Sequence, residues 1–433
     1  MKYLGTTGNP SLRSVAEGPI IDMMLVGGWA YEVQGGNRQD ATEATRVALA
    51  RWQRAGLPAS DGADGQPRYD PVEVLNFMKW SGLRHGDTFW SERYMLTGRR
   101  FVLEQFGGQL SPGPFTALPA EEFTFVLTRR FNLSSFEPGK PLRLRLPLPI
   151  EDATLRNLEL SFTSDFAGQV EYHQDPGRLE ARFAAPDARQ VSIGYRAKFR
   201  LDPGLAGAGK SHPSDIDPLD AAEFELYTRF SEGLISVTPR ILSLAKELGG
   251  EGCTTREMVS SFWDYLMDHL LCGSVHYDEI DLARPMDWLL ENGWYDCHLG
   301  SALLVSLCRA RKIPARIING YLLYPLSPTI HFWNEIWIEG SGWTPFDLLS
   351  WNLSRGGRDS TWRNCFAGTL DYRVKTQCLP RTFVGPMSLR LPPQWHMLTE
   401  PVADGIRITM ADAISGTLAY FDDISVRRGR PPG

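Results

Sequence analysis

The chain is predicted to fold as an α+β protein: a mainly helical first region, a small β-sandwich, then a domain in which a cysteine-bearing helix packs on an antiparallel sheet. Three observations carry that prediction. The hydrophobic period changes from helical to two after about residue 118. A stretch rich in Gly, Pro and Ser, "LDPGLAGAGKSHPSDIDP" (201–218), then separates this strand-rich part from the C-terminal half of the chain. Finally, "ENGWYDCHLGSALLVSLCRARKIPARI" (291–317) sets Cys297 in a turn-forming stretch directly before an apolar helix.

The 433 residues exceed what one hydrophobic core usually holds and predict two or three domains. Against 51 acidic residues stand 45 basic ones, a formal charge of −6 with no long Lys/Arg block, which predicts no nucleic-acid partner. The most apolar early stretch, "IIDMMLVGGWA", is interrupted by Asp22 and lacks the flanks of a signal peptide or membrane span. A cytoplasmic location without membrane association is therefore expected. The six cysteines (Cys253, Cys272, Cys297, Cys308, Cys365, Cys378) include no CxxC pair, so free thiols, no disulfides and no structural metal are expected.

Residues 1–118 form the mainly helical region, whose role the sequence leaves open. Asp40 with Glu43 reads as a capping box, followed by Ala44, Val47, Ala48 and Trp52 at helical spacing until Gly56. Asp70 and Pro71 start a second helix, with Val74, Leu75 and Met78 as its buried face. His85 reads as a loop or structural histidine. Residues 119–202 carry strand patterning: Leu142, Leu144, Leu146 and Leu148 alternate with Arg143, Arg145 and Pro147, and Val191, Ile193, Tyr195, Ala197, Phe199 and Leu201 share one face. An antiparallel sandwich is the fold this patterning predicts, its outer arginines fitting a solvated strand face.

After the linker, 203–218, a third domain runs over 219–393, and 394–433 form a strand-containing extension. Thr238 and Pro239 open one helix, and Thr254 with Glu257 caps the next. Cys297 then stands at a helix N-terminus, where unpaired N–H groups and the macrodipole are expected to lower a thiol's pKa. Asp296 supplies the cap, Ala302, Leu303, Val305 and Leu307 the buried face, and Pro314 the end. Cys308, inside that helix, reads as core packing.

A thiolate nucleophile needs a base and a group to orient that base. In "HFWNEIWIEG" His331 shares a strand face with Trp333, Glu335 and Trp337. "SGWTPFD" ends on Asp347 after a hairpin around Gly340 to Gly342. Adjacent antiparallel strands bring such residues within about 5 Å of each other. His298 is a rival base by sequence proximity, but neighbours on a helix project about 100° apart, which turns it from the Cys297 thiol and toward the surface.

The ordered set resembles the transglutaminase-like superfamily over about residues 219 to 390, on the motifs "GWYDCHLGSALLVSLCRARKIPAR", "HFWNEIWI" and "GWTPFD". The resemblance implies a papain-like/transglutaminase core, with Cys297 as nucleophile, His331 as general base and acid, and Asp347 as the residue orienting His331. It also implies, as in many bacterial members, a β-domain ahead of the core. The chemistry implied is acyl transfer through a thioester acyl-enzyme, with no cofactor. The Cys297 backbone N–H would bind the oxyanion, and an indole, Trp263 or Trp294, would be the second donor. The leading reading is an enzyme that cleaves or forms amide bonds on a peptide, protein or acyl-thioester substrate. An amide synthase using thioesters on an acyl carrier protein is the alternative, motivated by the unplaced N-terminal region. A non-catalytic binding module on the same fold is the third.

Overall fold

The structure is a computed structural model that describes residues 14–26, 38–85, 92–110, 115, 118–133, 137–165, 170–175, 177–205, 218–276, 279–324, 328–378, 395–402, 405–412 and 420–429. Its organising element is a four-stranded antiparallel sheet in the order Gly342–Phe346, Thr329–Ile338, Ala315–Leu322, Arg373–Cys378. Both faces of this sheet are covered, which is why its strands are apolar on both sides. One face, through Ala315, Ile317, Phe332 and Ile336, packs on the helix Cys297–Ala310. Ile318, Tyr321, Trp333 and Val374 of the same sheet join the core of the β-sandwich, where the Phe125 and Tyr321 rings lie 5.1 Å apart.

The sandwich has the two-layer form that the period-two patterning predicts. One sheet runs Tyr420–Arg428, Glu121–Asn132, Gln190–Leu201, Leu155–Ser164, and the other runs Pro141–Pro147, Arg178–Ala184, Glu171–Asp175. Val191, Ile193, Tyr195, Ala197, Phe199 and Leu201 are all buried, as expected for one inward face. Leu146 and Leu148 are buried too, while the side chains of Leu142 and Leu144 lie outside the described residues. The strand Tyr420–Arg428, from the C-terminal extension, is the edge strand of the first sheet. It is fastened by a buried two-pronged pair in which Arg129 donates to both oxygens of Asp422 at 2.6 and 2.7 Å.

The helical region differs from expectation in detail. The helix Arg38–Arg54 begins ahead of Asp40, so Asp40 lies in its first turn instead of capping it. Its buried residues are Thr45, Ala48, Leu49 and Trp52, whereas Val47 is 58% exposed, because the stripe facing the core runs one residue to its side. Gly56 then ends the segment at φ +107°, a backbone conformation suited to glycine. The helix Pro71–His85 buries Val74 as expected, and Phe77 and Trp80 are also buried while Leu75 and Met78 stay partly exposed. The same buried stripe includes the polar Asp70, Glu73, Asn76 and Ser81. His85 closes that helix, and its side chain lies outside the described residues. Trp52, Phe77 and Trp80 enter the same hydrophobic cluster as Leu299, Leu303 and Leu307 of the cysteine helix. The helical region is thus packed onto the cysteine-bearing side of the sheet.

Candidate active site

Cys297 is the first residue of the helix Cys297–Ala310, and the preceding stretch forces it there. Gly293, at φ 75°, ends the helix Pro285–Asn292, and the strand pair Trp294–Tyr295 runs parallel to Leu271–Cys272. Asp296 caps the cysteine helix, its carboxylate accepting from the amides of His298 at 3.0 Å and Leu299 at 2.8 Å. Gly300 is required one turn on, since a Cβ there would meet the Tyr295 ring at 2.4 Å and Leu348 at 2.7 Å.

The thiol is partly exposed, and its pKa lies well above the ordinary thiol value, contrary to the expectation from a helix N-terminus. Burial is the main cause and the Asp296 carboxylate the second. The physical reason is visible in the cap: the His298 and Leu299 amides that would stabilise a thiolate are already donating to Asp296, whose charge opposes a second anion. In the other direction works the backbone N–H of Phe332, which donates to the Cys297 sulfur.

Phe332 directly follows His331 on the strand Thr329–Ile338. His331 Nε2 lies 2.9 Å from both oxygens of Asp347, and the ring is 8% exposed. An ionised carboxylate only accepts, so Nε2 carries the hydrogen and Nδ1 is left as the basic nitrogen. Asp347 follows the strand Gly342–Phe346 and is fully buried, its backbone N–H donating to Phe366 at 3.0 Å. Oδ1 also accepts from the Leu349 amide at 2.8 Å, and Oδ2 pairs with Arg373 Nη1. Burial alone would raise the Asp347 carboxyl. The Arg373 guanidinium and His331 outweigh it and hold the carboxyl well below the usual carboxylate range. Arg373 is itself held by Asp371 Oδ1 at 2.7 Å and lies over the Phe366 ring at 4.8 Å, and Tyr324 donates to the far oxygen of Asp371 at 2.7 Å.

The remaining candidates fall differently. Trp263 is buried and donates its indole N–H to Asn364 at 3.1 Å, so that hydrogen is committed within the core. Trp294 is also buried, two residues before Asp296. His298 is only partly exposed: its ring stacks on Phe332 at 4.2 Å, and burial lowers its pKa to about 4, which keeps it neutral. Cys308 is fully buried in the helix interior, as expected of a packing residue. Among the described residues no group of three or more His, Cys, Asp or Glu side chains is arranged to hold a metal ion. None of their helices is long and apolar enough to cross a membrane. Reasoning from the sequence missed Arg373 and the Phe332 amide. Arg373 lies 26 residues beyond Asp347 in an ordinary strand, and an amide has no sequence signature.

Among solved structures, a "putative cysteine protease" from Cytophaga hutchinsonii is similar at 16% identity and TM-score 0.46, covering 73% of this chain and 93% of its own. The periplasmic domain of TgpA from Pseudomonas aeruginosa is similar at 14% identity and TM-score 0.29, covering 58% and 95%. No curated protein matches the chain. Residues 243–348, which hold Cys297, His331 and Asp347, match the family model of the transglutaminase-like superfamily, a match that takes in the cysteine helix and three of the sheet's four strands.

Proposed function

We propose that the protein is a cysteine-dependent acyltransferase or hydrolase of amide bonds, with Cys297 as nucleophile, His331 as general base and acid, and Asp347 as the group that orients His331. The observation that carries the proposal is the His331–Asp347 contact at 2.9 Å, one residue from the amide that donates to the Cys297 sulfur.

In the first half-reaction the Cys297 proton passes to His331 Nδ1 as the sulfur–carbon bond forms, and the carbonyl electrons move onto oxygen. The raised thiol pKa supports proton transfer in concert with attack over a preformed ion pair. Collapse of the tetrahedral adduct breaks the carbon–nitrogen bond, and the imidazolium protonates the departing amine. Water or an acceptor amine then attacks the thioester, giving its proton to Nδ1, and the carbon–sulfur bond breaks to restore the thiol. Asp347 remains ionised throughout, holding the Nε2–H and offsetting the imidazolium charge. The Cys297 amide serves the oxyanion, and Trp263, whose indole N–H donates to Asn364, does not act as the second donor.

The same chemistry serves an amide synthase fed by carrier-protein thioesters. The helical region that motivated that reading packs into the core beside the cysteine helix, so the amide-directed reading stands first. Intact-protein mass spectrometry after exposure to peptide amides, free acyl thioesters and a carrier-bound thioester is the test. One acyl adduct on the wild type and none on Cys297→Ala is expected. Turnover surviving in Cys297→Ala would remove the assignment, and faster acylation by the carrier-bound thioester would reverse the order of the two substrates.

A further inference from the structure

The helix Pro71–His85 docks on the core by a polar stripe that reads along one segment of backbone. Asp70 Oδ2 pairs with His276 Nε2 at 2.9 Å. Asn76 donates to the Ser274 carbonyl and accepts from the Ser274 amide, both at 2.8 Å, as a paired strand would. One turn on, the Lys79 ammonium donates to the Cys272 carbonyl at 3.0 Å and to Asn352 Oδ1 at 3.4 Å.

Both acceptors lead to the candidate site. Cys272 pairs in register with Tyr295, two residues before Cys297. Asn352 belongs to the short helix Leu349–Leu353, whose first amide donates to Asp347. Lys79 therefore bridges the segment that carries the cysteine and the segment that carries the aspartate. We propose that Lys79 is a positioning residue of the active site, whose ammonium offsets the Asp296 carboxylate and steadies the negative charge that develops at Cys297.

The inference rests on Cys297 being the nucleophile. Its electrostatics are those of a cation acting on groups that are or become anions, Cys272, Cys297 and Asp296, with the buried Tyr295 hydroxyl beside Cys272. Burial lowers the Lys79 pKa, and Cys272, Cys297 and Asp296 act to raise it. Coupling between the two sites runs both ways, so a charged Lys79 favours the Cys297 thiolate. On this reading the helical region is part of the catalytic unit.

The test is the pH dependence of iodoacetamide alkylation at Cys297, followed by peptide mass spectrometry in wild type, Lys79→Met, Lys79→Arg and Asn76→Ala. Lys79→Met should raise the alkylation midpoint by about one pH unit, slowing the reaction about tenfold below it, while Lys79→Arg keeps the midpoint within a few tenths of a unit. Asn76→Ala loosens the same docking helix without touching the charge, and should leave the midpoint in place. An unchanged midpoint in Lys79→Met, or an equal shift in Asn76→Ala, would overturn the proposal. If the Cys297 rate in the wild type is indifferent to His331→Ala, the nucleophile assignment fails first. If that rate depends on His331 and ignores Lys79, only this inference fails.

Discussion

Two buried His–Asp pairs lie in this molecule at the same separation. His331 meets Asp347 at 2.9 Å and His276 meets Asp70 at 2.9 Å, with every side chain among them 10% exposed or less. Their surroundings differ. Asp347 is held by a guanidinium and by the Leu349 amide, and its histidine adjoins a residue whose N–H reaches a thiol. Asp70 instead accepts from the Val72 amide at 2.8 Å at the start of a helix, and its close approach to His276 Nε2 lacks hydrogen-bond geometry. The difference teaches that a short His–Asp separation orients an imidazole only where it is a hydrogen bond. Chemistry needs a nucleophile beside the ring and a carboxylate kept anionic.

That comparison can be broken or sharpened by substitution. The largest expected effect is Asp347→Asn, which should lower the acylation rate by on the order of 10² to 10⁴, because the amide no longer fixes the Nε2–H tautomer. Asp70→Asn, the matched change, should leave the rate within about twofold and cost stability by about 1–3 kcal/mol, read from chemical denaturation. Equal rate losses in the two variants would erase the distinction between the pairs.

Next is Arg373→Met, which leaves Asp347 buried without its guanidinium and should cost about 3–5 kcal/mol in the same denaturation assay. The pH dependence comes from the sign of the shift. Asp347 has a depressed folded pKa, so its contribution is present above the unfolded carboxylate value of about 3.9 and is lost as pH falls through the lower folded value. Arg373→Met raises the folded value and moves that loss to higher pH. Acid unfolding that begins at the same pH in variant and wild type would show that Arg373 does not hold the carboxylate ionised.

The smallest effect concerns the cap. Asp296→Asn keeps an acceptor for the His298 and Leu299 amides while removing the charge beside the thiol. It should lower the alkylation pKa of Cys297 and cost stability by less than about 1 kcal/mol. A pKa unmoved by this change would show that burial, with Cys272 and Asp347, raises the value without Asp296.

Much of this architecture was legible because it rests on local rules. The alternation through Val191 to Leu201 named a buried strand face, and Thr238, Thr254 and Asp296 sit as the caps their side chains imply. The order of Cys297, His331 and Asp347 was legible for a similar reason: a helix start, a strand and a hairpin leave few ways to arrange three residues. The helical region was harder to read. Its burial depends on docking onto a distant segment, so Val47 faces outward and Asn76 inward against their hydrophobicity.

Beyond the helical region, the sequence by itself determined where the capped helices begin and which strand faces are buried, since each is set by side-chain periodicity and capping over a few residues. Only the tertiary structure decided the electrostatics. Arg373 reaches Asp347, Lys79 reaches Cys272 and Asn352, and burial, with the Asp296 carboxylate second, turns the expected low thiol pKa into a high one. Charge acts through space, between residues 26 to 273 positions apart in two of these contacts, and no local pattern encodes it.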